Sequence, residues 1–315
     1  MNTSTGSTPR PEGPYTPDGP HLPDGPQVPG TSGTGAGTLG AFRLDGARAL
    51  VTGASRGIGE ACAQALADAG CDIAVSARTA EVLTGTCEAV EQRGRKAFAV
   101  PADLAEPGAA TRVADQAAAA LGGLDIVVHN AGTLPTTQDA APVVAPFHAS
   151  EQRHWDHVLS VNLNASAELC RAAYPHLATS RRATVILMSS VAGLMGTPMM
   201  EAYAASKAAQ ISLARSLAVA WARQGIRVNA VCPGWVRTGM TEFATTAAPL
   251  SDWLMSHVPM GRWGEPAEVA RAVLFLASPA ASFVTGHALV LDGGLSVPDG
   301  GLAGIPKPPS PFAGL

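Results

Sequence analysis

The sequence predicts a single α/β domain of the doubly wound Rossmann type, with about seven parallel strands and helices on both faces. Three observations carry that expectation. Short apolar runs alternate with longer helix-spaced stretches in units of roughly 25–30 residues. The runs are apolar throughout instead of alternating, as strands covered on both faces must be. The first run ends in TGASRGIG, Thr52 to Gly59, a glycine-rich turn that leads into a helix.

The elements follow in order along the 315 residues. Residues 47–52 (ARALVT) form the first apolar run, and 57–69 have helical spacing that stops at Gly70. Residues 72–77 (DIAVSA) read as the second strand and 79–93 as a helix ended by Gly94. Strands at 97–101 and 124–129 (LDIVVH) flank an alanine-rich helix over 107–121. Residues 183–188, 227–232 and 288–291 continue the strand series, separated by long helical stretches. Nothing inside 41–297 reads as a linker, so that range is expected to be one nucleotide-binding catalytic domain.

Residues 1–40 hold nine glycines and eight prolines with almost no large apolar side chain. Such a segment cannot bury enough surface to offset its ordering entropy and is expected to be disordered. Within it Pro11, Pro14, Pro17, Pro20, Pro23, Pro26 and Pro29 recur every third residue. In polyproline II these would line one edge, as in a docking ligand, but a solvated tail is the preferred reading of the composition. Residues 298–315 read as a second proline- and glycine-rich tail.

Composition excludes several classes. The formal charge is −4 and no long basic stretch appears, so nucleic acid is not an expected partner. No apolar run approaches the ~18 residues that span a bilayer, and the N-terminus lacks the apolar core of a secretory signal. The five cysteines (62, 71, 87, 170 and 232) contain no CxxC pair and fit free thiols in a reducing compartment. A cytoplasmic location is the expectation.

The chemistry begins at the glycine turn. Gly53-x-x-x-Gly57-x-Gly59 lets the backbone turn tightly and approach a pyrophosphate, while the helix that follows offers free N–H groups and a favourable dipole. Ser55, Arg56 and Ile58 belong to the same loop. Alone, the pattern also fits an ordinary strand-to-helix turn. About 150 residues further on stand Tyr203 and Lys207, four apart in AYAASKAA, with Ser190 thirteen residues before the tyrosine.

The glycine loop resembles the TGxxxGxG coenzyme loop of the short-chain dehydrogenase/reductase family, and the likeness continues in that family's order. It runs through Asp103 and Leu104 in PADL, then Asn130-Ala131-Gly132, Asn162 in SVNLNA, and Ser189-Ser190. Tyr203-x-x-x-Lys207 follows, then Pro233-Gly234 with Val236 and Thr238, and last GRWGEPAEVARAVLFLAS and GHALVLDGG. It covers roughly residues 42–297. The resemblance implies that the named loop residues bind a nicotinamide coenzyme. It also implies that Pro233, Gly234, Val236 and Thr238 close over it, and that Asp103 touches the adenine edge. Asp103 fits a loop cap as well, and Asn130 a bridge between strands.

Charge selects the coenzyme. An acid at the end of the second strand would take the free ribose hydroxyls and repel a 2′-phosphate. This chain has Ala77 there, followed by Arg78, with Arg56 in the glycine loop. Two guanidinium groups can grip a phosphate by forked, charge-assisted hydrogen bonds, so NADP(H) is expected.

Carbonyl reduction needs a proton donor near the hydride. A free tyrosine, with pKa about 10, exchanges protons poorly near neutrality. A lysine one helical turn away shares its face, and its charge favours the phenolate. Tyr203 is therefore expected to be the general acid in reduction and the base in oxidation, with Ser190 on the substrate oxygen. The resemblance adds that Lys207 bonds the nicotinamide ribose and that Asn162 supports a water which refills Lys207. Asn162 also reads as a helix-kink residue, and Ser190 as part of a strand-end turn. His129 stands where the family often has asparagine, and nothing catalytic follows from it.

His148, His154, Asp156 and His157 cluster in FHASEQRHWDH. The spacing could place two histidines on one helix face. With no cysteine or clear fourth ligand nearby, and Trp155 reading as the core anchor, no metal is expected. The substrate is expected to be a small carbonyl or secondary alcohol. Its pocket walls would be 133–151, 194–200 and 235–258, whose methionines and aromatics lean toward an apolar or mixed ketone. A 3-oxoacyl-thioester (acyl-carrier-protein) reductase is the alternative within the enzyme class. A nucleotide-sensing scaffold, or an adaptor working through the proline tail, would be a different class. The complete Ser190, Tyr203 and Lys207 set argues against a sensor, which needs no proton relay. By resemblance the chain is a homo-oligomer, a tetramer or dimer.

Overall fold

The computed structural model describes residues 37–136, 143, 145–298, 304 and 309. The proline triplet repeat and nearly all of the C-terminal tail lie outside the described residues.

Seven strands form one parallel sheet: β1 (Arg48–Thr52), β2 (Asp72–Ser76), β3 (Ala97–Ala99), β4 (Ile126–His129), β5 (Thr184–Met188), β6 (Arg227–Pro233) and β7 (Ala288–Leu291). Their order is β3-β2-β1-β4-β5-β6-β7, and every pairing is parallel. Each apolar run named from the sequence became a strand, shifted by a residue or two at its ends. The expected doubly wound architecture is the one observed.

The strands read as unbroken apolar runs because alternate residues enter two separate cores. Val51, Val75, Val128 and Ile186 pack on one face, where α1 (Gly57–Asp68) and α9 (Pro266–Ala277) lie against them. Leu50, Ala74, Val127, Val185 and Leu187 pack on the other, beneath α3 (Ala109–Leu121), α5 (Ala165–Leu177) and α6 (Glu201–Trp221). Removing apolar surface on both sides of the sheet is the dominant stabilising term, at about 25 cal/mol per Å². Alanines fill much of the helical contact face, among them Ala110, Ala114 and Ala117 of α3, and let that helix approach the sheet closely. Left-handed glycines bound α3 at both ends, Gly108 (φ 77°) and Gly122 (φ 75°).

The remaining helices are α2 (Thr84–Glu91), α4 (Gln152–Leu159), α7 (Glu242–Thr245) and α8 (Ala248–Met255). The sheet order reverses where β1 lies between β2 and β4. The crevice beyond the carboxyl ends of those strands is the place where such sheets bind ligands. Thr52, His129 and Met188 end their strands there. No helix among the described residues is long and apolar enough to cross a membrane.

Candidate active site

The glycine loop is built by close approach. Gly53 adopts φ 64°, a conformation side chains rarely take, and a Cβ there would lie 2.8 Å from Ala131 Cα. A Cβ on Gly59 would overlap the Gly53 carbonyl and sit 2.6 Å from Asn130 Nδ2. Asn130 Nδ2 donates to the Gly53 carbonyl at 3.0 Å, and the Ala131 N–H donates to Thr52 Oγ1 at 3.1 Å. Asn130 thus ties the end of β4 to the loop after β1, the bridging role read from the sequence. Helix α1 starts at Gly57, and no side chain caps its first turn. Its N-terminal N–H groups and dipole therefore suit an anion.

The segment after β6 arches back over this loop. Gly234 N donates to Leu291 O at 2.9 Å, and Val236, 5% exposed, forms an isolated bridge with Gly264. Thr241 Oγ1 donates to Val236 O at 2.6 Å and accepts from Thr238 N at 3.1 Å, which shapes the arch. The Thr238 methyl lies 3.3 Å from where a Gly57 Cβ would stand, and the Arg56 guanidinium lies 2.9 Å from the corresponding point on Gly239. Thr238 and Gly239 are thus brought to the glycine loop although they are some 180 residues away in the chain.

Arg56 and Arg78 are both exposed, and neither forms an ion pair among the described residues. Arg56 directly precedes the first turn of α1, and Arg78 follows the neutral Ala77 just beyond β2. Asp103 is exposed, and its Oδ1 accepts from Ala105 N at 2.9 Å, so it does cap its own loop. Leu104 beside it is buried.

Ser190, Tyr203 and Lys207 converge at the ends of β5 and β6. Ser190 Oγ accepts from Ala192 N at 3.1 Å and donates to Pro233 O at 3.4 Å. It also hydrogen-bonds the half-buried Tyr203. Lys207 Nζ sits 5.5 Å from the centroid of the Tyr203 ring. Gly193 makes this packing possible, since a Cβ there would lie 2.7 Å from the Lys207 carbonyl carbon.

The protonation of this group differs from the simple picture of an ammonium beside a phenol. Burial holds the Tyr203 phenol above its ordinary value of 10, with the Ser190 hydrogen bond opposing that rise. Burial also pushes the Lys207 amine down to about 7. With 3% of its surface exposed, Lys207 loses most of its hydration, and near neutrality the charged and neutral forms are close in population.

Asn162 lies in a π-helical stretch, Ser160–Asn164, between α4 and α5, and is fully buried. Such bulges free backbone carbonyls from the regular ladder. Its side chain spans the loop after β4: Oδ1 accepts from Thr133 N at 2.7 Å, and Nδ2 donates to Thr133 O and to Ser206 Oγ, both at 3.0 Å. Its main-chain carbonyl accepts from Gln210 Nε2 at 2.8 Å and Ser166 Oγ at 2.5 Å. Thr52, Thr133, Ser166, Ser206 and Gln210 were not singled out from the sequence. The one available signal was the i, i+3 spacing of Lys207 and Gln210 on α6.

His129 has a structural consequence. It is fully buried; Nδ1 bonds Thr52 Oγ1 at 2.9 Å and Nε2 has no partner. Burial, reinforced by Lys207, lowers its pKa to about 3. Between that value and the unfolded 6.5 the unfolded chain binds the extra proton, so stability is complete above pH 6.5 and falls as pH drops toward 3. At pH 4.5 the contribution is about 3 kcal/mol. Urea melts at pH 7 and pH 4.5 should show a stability gap that shrinks by about that amount in His129→Asn; an unchanged gap would refute the assignment.

The expected pocket walls at 235–258 and 194–200 pack differently from one another. In the 235–258 segment, Trp235, Phe243, Trp253 and Met255 pack around a satellite core of Ala244, Leu254 and Trp263. Those aromatics serve packing more than recognition. In the 194–200 wall, Leu194 and Met195 are exposed, and Met199 has φ 66°, the one positive value outside glycine among the described residues. Its N–H donates to Glu201 Oε1 at 3.0 Å. Trp155 is half-buried and stacks edge-on with Phe147, their ring centroids 6.0 Å apart.

Comparison with known proteins agrees with this geometry. A family model described as enoyl-(acyl carrier protein) reductase matches residues 53–296. A short-chain type dehydrogenase/reductase from Mycobacterium marinum superposes with a TM-score of 0.75 at 33% identity, over 82% of this chain and 99% of that one. The chain belongs to the short-chain dehydrogenase/reductase family. Among other family members, gluconate 5-dehydrogenase of Gluconobacter oxydans (strain 621H) is 36% identical over 259 residues, covering 81% of this chain and 97% of its own length. A gluconate 5-dehydrogenase from Burkholderia cenocepacia J2315, solved with NADP and tartrate, has a TM-score of 0.76 at 35% identity, over 82% and 99% of the two chains. The family match over residues 53–296 spans β2 to β7 with their helices and leaves the proline-rich tails outside.

Proposed function

We propose that the protein is an NADP(H)-dependent oxidoreductase that interconverts a carbonyl and a secondary alcohol, with Tyr203 as the proton donor and acceptor. The observation that carries this reading is the convergence of Ser190, Tyr203 and Lys207 near Gly132, in the loop that Asn130 ties to the glycine turn. A reading as a sensor would leave that buried, hydrogen-bonded set without purpose. The coenzyme supplies the hydride. In this reading Gly53 to Gly59 and Asn130 to Gly132 form its cradle, and Arg56 and Arg78 hold the 2′-phosphate. Asp103 and Leu104 flank the adenine, and Pro233, Gly234, Val236 and Thr238 cover the other side.

Within the chain itself, Ser190 Oγ holds the carbonyl oxygen by a hydrogen bond. Tyr203 delivers the proton to that oxygen in reduction and removes it in oxidation. Lys207, when charged, stabilises the phenolate that forms. Its Nζ carries three donors, of which Met188 O (2.7 Å) and Gln210 Oε1 (3.0 Å) take two. The third remains for the nicotinamide ribose. Asn162 fixes the loop after β4 that carries Gly132.

The exposed Leu194 and Met195 beside the reacting groups favour a ketone with an apolar side. A second copy of the chain would pack on the outer face of α5 and α6. Family membership makes a homo-oligomer the expected working form, and Cys170, Tyr174, Leu217 and Trp221 line an open groove on those helices. Absorbance at the reduced nicotinamide band, with NADPH and a panel of apolar ketones, keto-gluconates and 3-oxoacyl thioesters, tests the proposal. Turnover of one class identifies the substrate. No oxidation of NADPH by any class, and no reduction of NADP by the matching alcohols, would refute the reading.

A further inference from the structure

Lys207 is held by more than its place on α6. One turn further along the same face stands Gln210, none of whose surface is exposed. Its amide is fully committed. Oε1 accepts from Lys207 Nζ at 3.0 Å, and Nε2 donates to Asn162 O and to Ser166 Oγ, both at 2.8 Å. The orientation of the amide is fixed by chemistry, because the reverse would set an NH₂ against an amine and an oxygen against a carbonyl. Ser166 Oγ also donates to Asn162 O, at 2.5 Å. Both lone pairs of that carbonyl are therefore taken.

We propose that Gln210 is a positioning residue for Lys207. Its amide ties the lysine amine to the main-chain carbonyl of Asn162 and supports the charged form of that amine. The proposal rests on the oxidoreductase reading above and deepens it. A carboxamide keeps its protons at neutral pH, so the link orients Lys207 without conducting protons.

The titratable groups that face the amine leave Gln210 a large share of the work. Tyr203 lies one turn back on α6, His129 faces from β4 and Cys232 from β6. At pH 7 all three are neutral. Burial holds the phenol above its ordinary value and the Cys232 thiol at about 11, and holds the imidazole down at about 3. The acceptors on the amine are two uncharged oxygens, Met188 O and Gln210 Oε1. Burial drives the amine toward neutrality, and each acceptor opposes it. Losing one hydrogen bond to a charged group moves a pKa by about one unit or more.

The test exploits composition. The chain has three lysines, Lys96, Lys207 and Lys307. Lysine-labelled protein therefore gives three side-chain NMR signals whose titrations can be followed one by one. Gln210→Met keeps the shape and removes the acceptor; Gln210→Glu restores an accepting oxygen. In Gln210→Met, Lys207 should titrate about one pH unit lower than in the wild type, with Lys96 unmoved. The alkaline limb of kcat/KM for alcohol oxidation should move down with it. In Gln210→Glu, Lys207 should titrate at or above the wild-type value. A lysine that titrates alike in wild type and Gln210→Met overturns the proposal. So does Gln210→Glu if it lowers the titration as the methionine does. Because NMR reads the amine without turnover, an inactive wild type would refute the oxidoreductase reading and leave this result standing.

Discussion

Tyr203→Phe is expected to lower turnover by about 10²–10⁴-fold, the usual worth of a positioned general acid, while NADPH binding stays within about twofold. The substitution removes one oxygen and leaves the ring, which is half-buried against α6 and its neighbours. The packing that sets Lys207 Nζ 5.5 Å from the ring centroid is retained, so a loss of rate reports the proton and not the fold. No other described group can substitute. Ser190 is too weak an acid, and Lys207 is turned to the Met188 carbonyl and Gln210. The pH dependence has a defined sign. In oxidation the phenolate is the active form, so activity rises with pH toward the phenol's pKa. That pKa starts above 10 in the free protein and must be lowered by Lys207 in its charged form. As Lys207 stands at about 7, raising pH also removes the charge that helps. The two groups titrate as a coupled pair and the oxidation profile should be bell-shaped. Steady-state rates over pH 6–10, paired with fluorescence titration of NADPH, check both parts. Wild-type rates in the phenylalanine variant would end the proposed mechanism.

The double variant Arg56→Ala, Arg78→Ala should raise KM for NADPH by about 10²–10³-fold and leave NADH kinetics nearly unchanged. Each charge-assisted hydrogen bond to phosphate contributes about 1.5–3 kcal/mol, or roughly one to two orders of magnitude in binding. Both guanidinium groups are exposed, so solvent screening favours the lower part of that range. The selectivity of the effect is the decisive feature, because NADH lacks the phosphate and would not register the loss. Adding Ala77→Asp should then convert the preference, since the carboxylate accepts from free ribose hydroxyls and repels the phosphate. A wild-type preference for NADH, or equal losses with both coenzymes in the double variant, would show that these arginines do not read the phosphate.

Much of this site is legible in the chain because its parts are local. The glycine loop is one turn, Tyr203 and Lys207 are one helical turn apart, and Ala77-Arg78 directly follow one strand. Each such feature depends on covalent spacing and survives any tertiary arrangement. Asn162 was harder to read. Its sequence position allowed a helix kink or a catalytic support, and the π-helical stretch shows that the bulge is what opens its carbonyl to Gln210 and Ser166. The aromatics of 235–258 misled in the other direction. Composition suggested a pocket lining, yet Trp235, Phe243 and Trp253 surround their own small core. Composition does not say which way a side chain turns.

The chain alone determined its architecture, its glycine cradle and its tyrosine–lysine pair, because strand periodicity, turn chemistry and helical spacing act over a few residues. Only the tertiary structure decided what surrounds that pair. Burial lowers Lys207 to about 7, burial and Lys207 together lower His129 to about 3, and Gln210 meets Asn162 across 48 residues. Desolvation depends on every element packed around a group, and no local spacing encodes it.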